Sequence, residues 1–101
     1  MILVDYLGRK FLVMKTVYKY PLEITDEQKI VLPAGAKILC IKEQEGVICL
    51  WALVDNEQVS REVITIRCAG TGHPIEEDVE YIDSVVMMGG DLVFHFFKVI
   101  Q

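Results

Sequence analysis

The chain has 101 residues, of which 52% are hydrophobic, and 15 acidic residues against 10 basic ones give a net charge of −5. This length suits one domain with a modest core. The lysines and arginines are scattered among acids, which argues against the basic stripe that nucleic-acid binders use to contact phosphates. No apolar run approaches the roughly 20 residues that span a bilayer. We therefore expect no nucleic-acid partner and no membrane association.

The first thirteen residues differ from the rest of the chain. They are rich in apolar residues, and the regular alternation starts only after Met14-Lys15-Thr16, which has the look of a translation start. The basic residues of this segment follow its apolar part, an order opposite to that of a secretory signal. We expect residues 1–13 to be an N-terminal extension or an added edge hairpin that turns at Gly8-Arg9, residues 14–101 to form a single β domain, and the protein to be cytoplasmic.

From residue 16 onward apolar residues recur at every second position, which is the period of a strand with one face buried. Glu45-Gly46 and Gly89-Gly90 lie between such runs and are suited to hairpin turns. Thr25-Asp26-Glu27-Gln28 resembles a helix start, but Pro33 limits any helix there to two turns. The pattern predicts an all-β sandwich or barrel of about seven antiparallel strands. The predicted strands are 16–20, 29–32, 36–42, 47–54, 62–68, 81–87 and 92–99.

The three cysteines, Cys40, Cys49 and Cys68, cannot all pair within one chain, and none belongs to a CxxC motif. They lie in strand-like runs, where free cysteine behaves as a small buried hydrophobe. A zinc site built from them with His73 and His95 would lack the paired-ligand spacing of known zinc sites. We expect free thiols, no metal and no other cofactor.

One loop combines features that suit partner binding. It follows the predicted strand 62–68, and its glycines permit close approach of a partner beside a titratable imidazole. An acidic run over 76–80 comes directly after it and could face a basic partner. The alternative interpretation is a structured loop, with its histidine hydrogen-bonded to the backbone, followed by a solvated charged face. The candidate partner-binding residues are Gly70, Thr71, Gly72, His73, Pro74, Glu76 and Glu77.

Two other side chains have a structural and a functional interpretation. His95 alternates with Phe94 and Phe96, and because Lys98 indicates that their face reaches solvent, we expect His95 to share the core with Phe97 as a half-buried structural histidine. Trp51 lies in a run that is apolar on both faces, which predicts a central strand. Its bulk favours a core anchor over the wall of a binding pocket.

No sequence motif names a reaction. The chain has no HExxH motif, no P-loop, no dinucleotide fingerprint and no recognisable Ser-His-Asp order. His73 as a general base would need a nucleophile, and the only hydroxyl near it in sequence is that of Thr71. Catalysis is therefore the less favoured interpretation, and no catalytic residue is predicted.

Several short segments suggest a resemblance over residues 14–99. They are Tyr18-Lys19-Tyr20-Pro21-Leu22, Leu32-Pro33-Ala34-Gly35-Ala36, Leu50-Trp51-Ala52-Leu53-Val54-Asp55, Gly70-Thr71-Gly72-His73-Pro74-Ile75 and Leu92-Val93-Phe94-His95. In this order they resemble a group of small uncharacterised proteins of tailed bacteriophages and prophages. The resemblance implies a phage origin, a host-cytoplasm setting and a domain of unknown function, and it supplies no catalytic residue.

The expected function is a small phage-type interaction module that binds a host protein or a small ligand. Two strands that are apolar on both faces, together with the apolar segment 1–13, predict a homodimer. Two alternatives stay open: a small hydrolase-like enzyme that uses His73, and a minor structural protein of the virion.

Overall fold

The computed structural model describes residues 2–4, 6–8, 10–12 and 14–100, with side chains at 6–8 and 14–100. The described residues form nine strands and one short 3-10 turn over Met88–Gly90. The strands are β1 (Ile2–Val4), β2 (Lys10–Leu12), β3 (Lys15–Pro21), β4 (Glu27–Pro33), β5 (Lys37–Gln44), β6 (Val47–Asp55), β7 (Arg61–Gly70), β8 (Val79–Met87) and β9 (Leu92–Val99).

Seven of these strands form two antiparallel sheets, which confirms the predicted all-β class. The three-stranded sheet has the order β3-β6-β5, and the four-stranded sheet has the order β4-β7-β9-β8. The two sheets pack face to face as a sandwich. β1 and β2 pair with each other as a separate antiparallel ribbon.

The core fills the space between the sheets because each central strand points every second side chain inward. In β6 these side chains include Leu50 and Ala52, and in the facing sheet they include Ile66 and Phe96, all of which are fully buried. Burial of a side chain of this size contributes about 1.5–3 kcal/mol relative to its exposure to water. The period-two pattern of the sequence therefore supplies both the strands and the core.

The two sheets are joined along one side, where β5 lies against β8. Asp83 of β8 reaches across this junction: its carboxylate accepts the backbone N–H of Ile41 at 3.0 Å and lies 3.1 Å from Lys42 Nζ. Each strand carries a bulge here, between Ile38 and Cys40 in β5 and between Tyr81 and Asp83 in β8. At this side of the sandwich, a side-chain carboxylate thus links β8 to β5 in place of backbone hydrogen bonds between the two strands.

One of two local expectations differs from the structure. Thr25-Asp26-Glu27-Gln28 starts no helix, because Glu27 already pairs with Arg67 as the first residue of β4. The hairpin between β8 and β9 forms as expected: Met87 pairs with Leu92, so the four residues 88–91 make its loop. Met88 takes a positive φ of 53° together with both glycines of this loop.

The expectation for residues 1–13 concerns in part residues that lie outside the described ones, namely 1, 5, 9 and 13, and it stays a prediction. Within the described part of the chain, no helix has both the length and the apolar character needed to cross a membrane.

Candidate functional site

The loop after β7 begins with a tight turn that brings its histidine back onto the strand end. His73 N–H donates to the carbonyl of Gly70 at 3.1 Å, and Gly72 takes a φ of +88°, a conformation that L side chains rarely adopt. The imidazole of His73 lies so close to Gly70 that a Cβ there would meet its Cε1 at 3.1 Å. Gly72 is therefore needed for the observed backbone, and a side chain at position 70 would require the His73 ring to shift by a few tenths of an ångström.

This turn forms one wall of a cavity of about 420 Å³, which we name the end cavity. The other walls are residues 24–26, which precede β4, and residues 91–94, at the start of β9. Cys68 and Phe94, which point toward the core side of the four-stranded sheet, supply apolar surface. The cavity exists because three chain segments meet at the same end of the sheet.

Carboxylates flank this apolar surface. Asp26 and Asp91 both line the end cavity, and both are exposed to solvent. Burial raises the pKa of the Cys68 thiol, the negative charge of Asp26 raises that pKa further, and Arg67 partly offsets the rise. Asp26 and Asp91 therefore place negative charge beside the apolar surface of the end cavity.

The structure divides the predicted partner-binding residues into two groups. Gly70, Thr71 and His73 line the end cavity. The remaining four candidates, Gly72, Pro74, Glu76 and Glu77, are not part of its lining. Among them, Glu77 points elsewhere, since its Oε1 lies 3.7 Å from Arg67 Nε on β7. The walls at 24–26 and 91–94 cannot be predicted from the sequence, because nothing in those segments indicates that they meet the loop.

Thr71 forms its hydrogen bond with His95, not with His73. Thr71 Oγ1 lies 2.8 Å from His95 Nε2, and the other ring nitrogen, Nδ1, lies 2.8 Å from Ser84 Oγ. Ser84 Oγ in turn lies 2.9 Å from the phenol oxygen of Tyr81. We name these four residues the hydroxyl chain. It runs across β8 and β9 to the rim of the end cavity.

The hydroxyl chain lies on the outer face of the four-stranded sheet. Phe96 is fully buried in the core, so His95, its neighbour in β9, points the other way, and the expectation that His95 shares the core is wrong. Lys98 is a misleading marker of the solvent face, because Phe96 rather than His95 packs between the sheets. His95 is nevertheless half-buried, because Ser84 and Thr71 flank it.

A bulge in β8 makes the hydroxyl chain possible. In a regular strand, Tyr81 and Ser84 would point to opposite faces because they are three residues apart. The register shift between Tyr81 and Asp83 inserts one extra residue, so that Tyr81 lies opposite Phe97 and Ser84 lies opposite His95. The ring of Tyr81 packs edge-on against Phe97, with centroids 5.8 Å apart, which fixes its position.

A second cavity, of about 320 Å³, lies at the opposite end of the four-stranded sheet, next to the β5–β8 junction. Its charged lining is balanced, with Lys37 and Lys98 beside Glu62 and Glu80. Trp51 lines neither cavity. It is half-buried on the outer face of the three-stranded sheet, and the expectation that it anchors the core is wrong because Leu50 and Ala52 occupy the inward positions.

Comparison with known proteins identifies only the family of the chain. Neither a curated protein nor a solved structure matches it. A family model described as "Domain of unknown function (DUF7352)" matches residues 14–101, and the chain belongs to this family.

Proposed function

We propose that the protein is a binding module whose end cavity takes a primary ammonium group of a partner. The observation that carries the proposal is the pairing of apolar surface, from Cys68 and Phe94, with the carboxylates of Asp26 and Asp91. A lysine side chain or a peptide N-terminus has the matching chemistry: a positive charge with three donors, joined to aliphatic carbon.

The charge of the whole chain supports the same partner class. A net charge of −5 attracts cations at long range and speeds their encounter at low salt. Each exposed carboxylate–ammonium contact contributes only about 0.2–1 kcal/mol. Two such contacts supply at most about 2 kcal/mol, so we expect a dissociation constant of tens of millimolar or weaker for an isolated amine, with the surrounding surface of a protein partner supplying the rest.

Calorimetric titration with ethylamine at low and high salt tests this proposal. Asp26→Asn and Asp91→Asn are expected to weaken binding several-fold each, and added salt is expected to weaken it for the wild type. Glu76→Gln is the matched control, since it also removes one exposed carboxylate but lies outside the lining of the cavity. Equal weakening by all three variants would show that only the overall charge matters and would contradict a specific site.

The wider setting of the proposal rests on the resemblance to tailed-phage proteins. We propose a phage-encoded module that acts in the host cytoplasm, with a host protein as the natural source of the amine. No observation favours the alternative of a hydrolase-like enzyme, because His73 has no hydroxyl partner among the described side chains. The alternative of a minor virion protein predicts that the protein is present in purified particles.

We also propose that the protein forms a homodimer. Val31 of the edge strand β4 and its partner Val63 of β7 are 55% and 60% exposed, which leaves an apolar pair at a sheet edge open to contact. Light scattering at tens of micromolar is expected to give the dimer mass. A Val63→Lys variant that remained as dimeric as the wild type would place the interface elsewhere.

A further inference from the structure

We propose that the β1–β2 ribbon is an exchanged arm: in a homodimer, the ribbon of each copy packs against the sandwich of the other, at the end formed by the loop over residues 56–60. This inference rests on the proposed homodimer and names the segment of the second copy that covers Val31 and Val63. The observations behind it are a ribbon that joins neither sheet and a set of exposed apolar side chains near its root.

The ribbon has no strand of the sandwich beside it. At its turn, Tyr6 is 93% exposed and Leu7 is 62% exposed. An isolated two-stranded ribbon is at best marginally stable in water, so we expect a partner surface to stabilise this one. In the described part of the chain its two strands pair only with each other, and five of their six residues are apolar by sequence: Ile2, Leu3, Val4, Phe11 and Leu12.

Exposed apolar side chains gather at the end of the sandwich where the ribbon joins β3. The loop 56–60 forms this end: Asn56 N–H donates to the carbonyl of Met14 at 2.8 Å, and Ala34 N–H, just after β4, donates to the carbonyl of Ser60 at 2.9 Å. The loop thus connects the root of the ribbon with the ends of β4 and β7. Four residues of this region are between 42% and 87% exposed, and we name them the apolar patch: Met14, Val31, Val59 and Val63.

Charge and symmetry favour a second copy as the partner of the ribbon. Residues 1–13 contain Arg9 and Lys10 against Asp5, a net charge of +1, so residues 14–101 carry −6 of the total of −5. Opposite charges on two surfaces speed and orient their association. Every copy also carries both a ribbon and an apolar patch, so two copies related by a twofold axis cover both pairs in one closed contact. A different protein that bound the ribbon alone would leave the apolar patch exposed.

The ribbon is long enough for this role. From residue 7 to residue 12 it spans about 20 Å, whereas the two sheets of a sandwich lie about 10 Å apart. It can therefore cross one end of a second sandwich from sheet to sheet. The end cavity stays open in such a dimer, because its lining includes Gly70, the last residue of β7, whereas the loop 56–60 precedes Arg61, the first residue of that strand.

Sedimentation equilibrium of two variants tests the inference. Tyr6→Asp alters the turn of the ribbon, Val59→Lys alters the apolar patch, and each is expected to raise the dimer dissociation constant at least about tenfold. Val86→Lys is the matched control, since it adds the same charge at a valine that is 61% exposed beside the β8–β9 hairpin, at the other end of the sandwich. It is expected to leave the dissociation constant within about twofold. Circular dichroism checks that each variant keeps its β structure.

A mixture of the two variants tests the exchange itself. In a mixed dimer, the unaltered ribbon of the Val59→Lys copy meets the unaltered patch of the Tyr6→Asp copy, and the second contact pairs an aspartate with a lysine. The mixture is therefore expected to contain more dimer than either variant alone at the same total protein concentration. If each ribbon covered its own sandwich, mixing would restore nothing, and the exchange would be wrong.

Isotope-filtered NMR of a mixture of labelled and unlabelled wild type locates the contact. Nuclear Overhauser effects are expected between the Tyr6 ring of one copy and the methyl groups of Val59 and Val63 of the other. A dimer that shows no such contact, or that both variants leave unchanged, would overturn the inference and leave the homodimer standing. A wild type that is monomeric at tens of micromolar would overturn both.

Discussion

Replacement of Asp83 by alanine is expected to weaken the contact between the two sheets along the β5–β8 side. The side chain of Asp83 is only 18% exposed, and its carboxylate accepts N–H groups from Ile41 at 3.0 Å and from Ser84 at 2.9 Å. Hydrogen bonds to a charged group contribute about 1.5–3 kcal/mol, and the lost partner leaves the N–H of the fully buried Ile41 unsatisfied. We expect a loss of about 2 kcal/mol from the free energy of unfolding.

Thermal unfolding followed by circular dichroism measures this loss. For a domain of this size, it corresponds to a fall in Tm of about 8–16 °C. Lys42→Met is the matched control: it removes the other charge of the ion pair, whose lysine side chain is 59% exposed, and is expected to cost less than about 1 kcal/mol. Equal losses in the two variants, or an Asp83→Ala variant within about 0.5 kcal/mol of the wild type, would contradict the role of Asp83 in joining the two sheets.

The pH dependence of the free energy of unfolding, compared between the wild type and Asp83→Ala, gives a second test. Burial alone would raise the pKa of Asp83, but the hydrogen bonds from Ile41, Lys42 and Ser84 and the charge of Lys42 outweigh it and hold the pKa below the ordinary value of 3.8. A carboxyl with a lowered folded pKa contributes stability above its unfolded pKa and loses it as the pH falls through the folded value. The difference between wild type and Asp83→Ala is therefore expected to be constant near neutrality and to shrink below about pH 4. A difference that grew with acid would contradict this sign.

Three further predictions follow from burial and backbone geometry. Phe96→Ala leaves a cavity between the sheets and is expected to cost about 3–5 kcal/mol in urea denaturation, whereas a loss below about 1 kcal/mol would contradict its central position. The Cβ added by Gly72→Ala meets no atom within 4 Å, but the residue must keep a φ of +88°. We therefore expect a loss of about 1 kcal/mol in the free energy of unfolding from backbone strain alone. No loss would mean that the turn has a different conformation. Asp26→Asn is expected to speed alkylation of Cys68 at pH 8, because it removes a charge that raises the pKa of the thiol; an unchanged rate by peptide mass spectrometry would place the carboxylate away from the cavity.

The strand content was predictable because the relevant forces are local. Alternation in β6, for example, indicates directly that Leu50 and Ala52 face one way and Trp51 the other. Which of the two faces is buried depends on how the sheets pack, and no local pattern records that. For this reason the expectations for His95 and Trp51 are both wrong: the core lies on the opposite side of their strands.

The candidate site was predictable only in its loop. Gly70-Thr71-Gly72-His73 stood out by composition, and three of its residues do line the end cavity. The hydroxyl chain was not predictable, because a bulge in β8 places Tyr81 and Ser84 on one face against the period of the strand. The walls at 24–26 and 91–94 depend on sheet order, since β4 and β9 flank β7 without being its neighbours in sequence.

The most direct test of the amine site is to map it residue by residue. Backbone amide NMR spectra recorded during titration with ethylamine are expected to shift for residues 24–26, 70–73 and 91–94, and to stay unchanged for residues 37–39 and 80–82, which line the second cavity. Asp26→Asn is expected to reduce these shifts at the same amine concentration. Shifts that concentrate at the second cavity or spread evenly over exposed acidic residues would contradict the account.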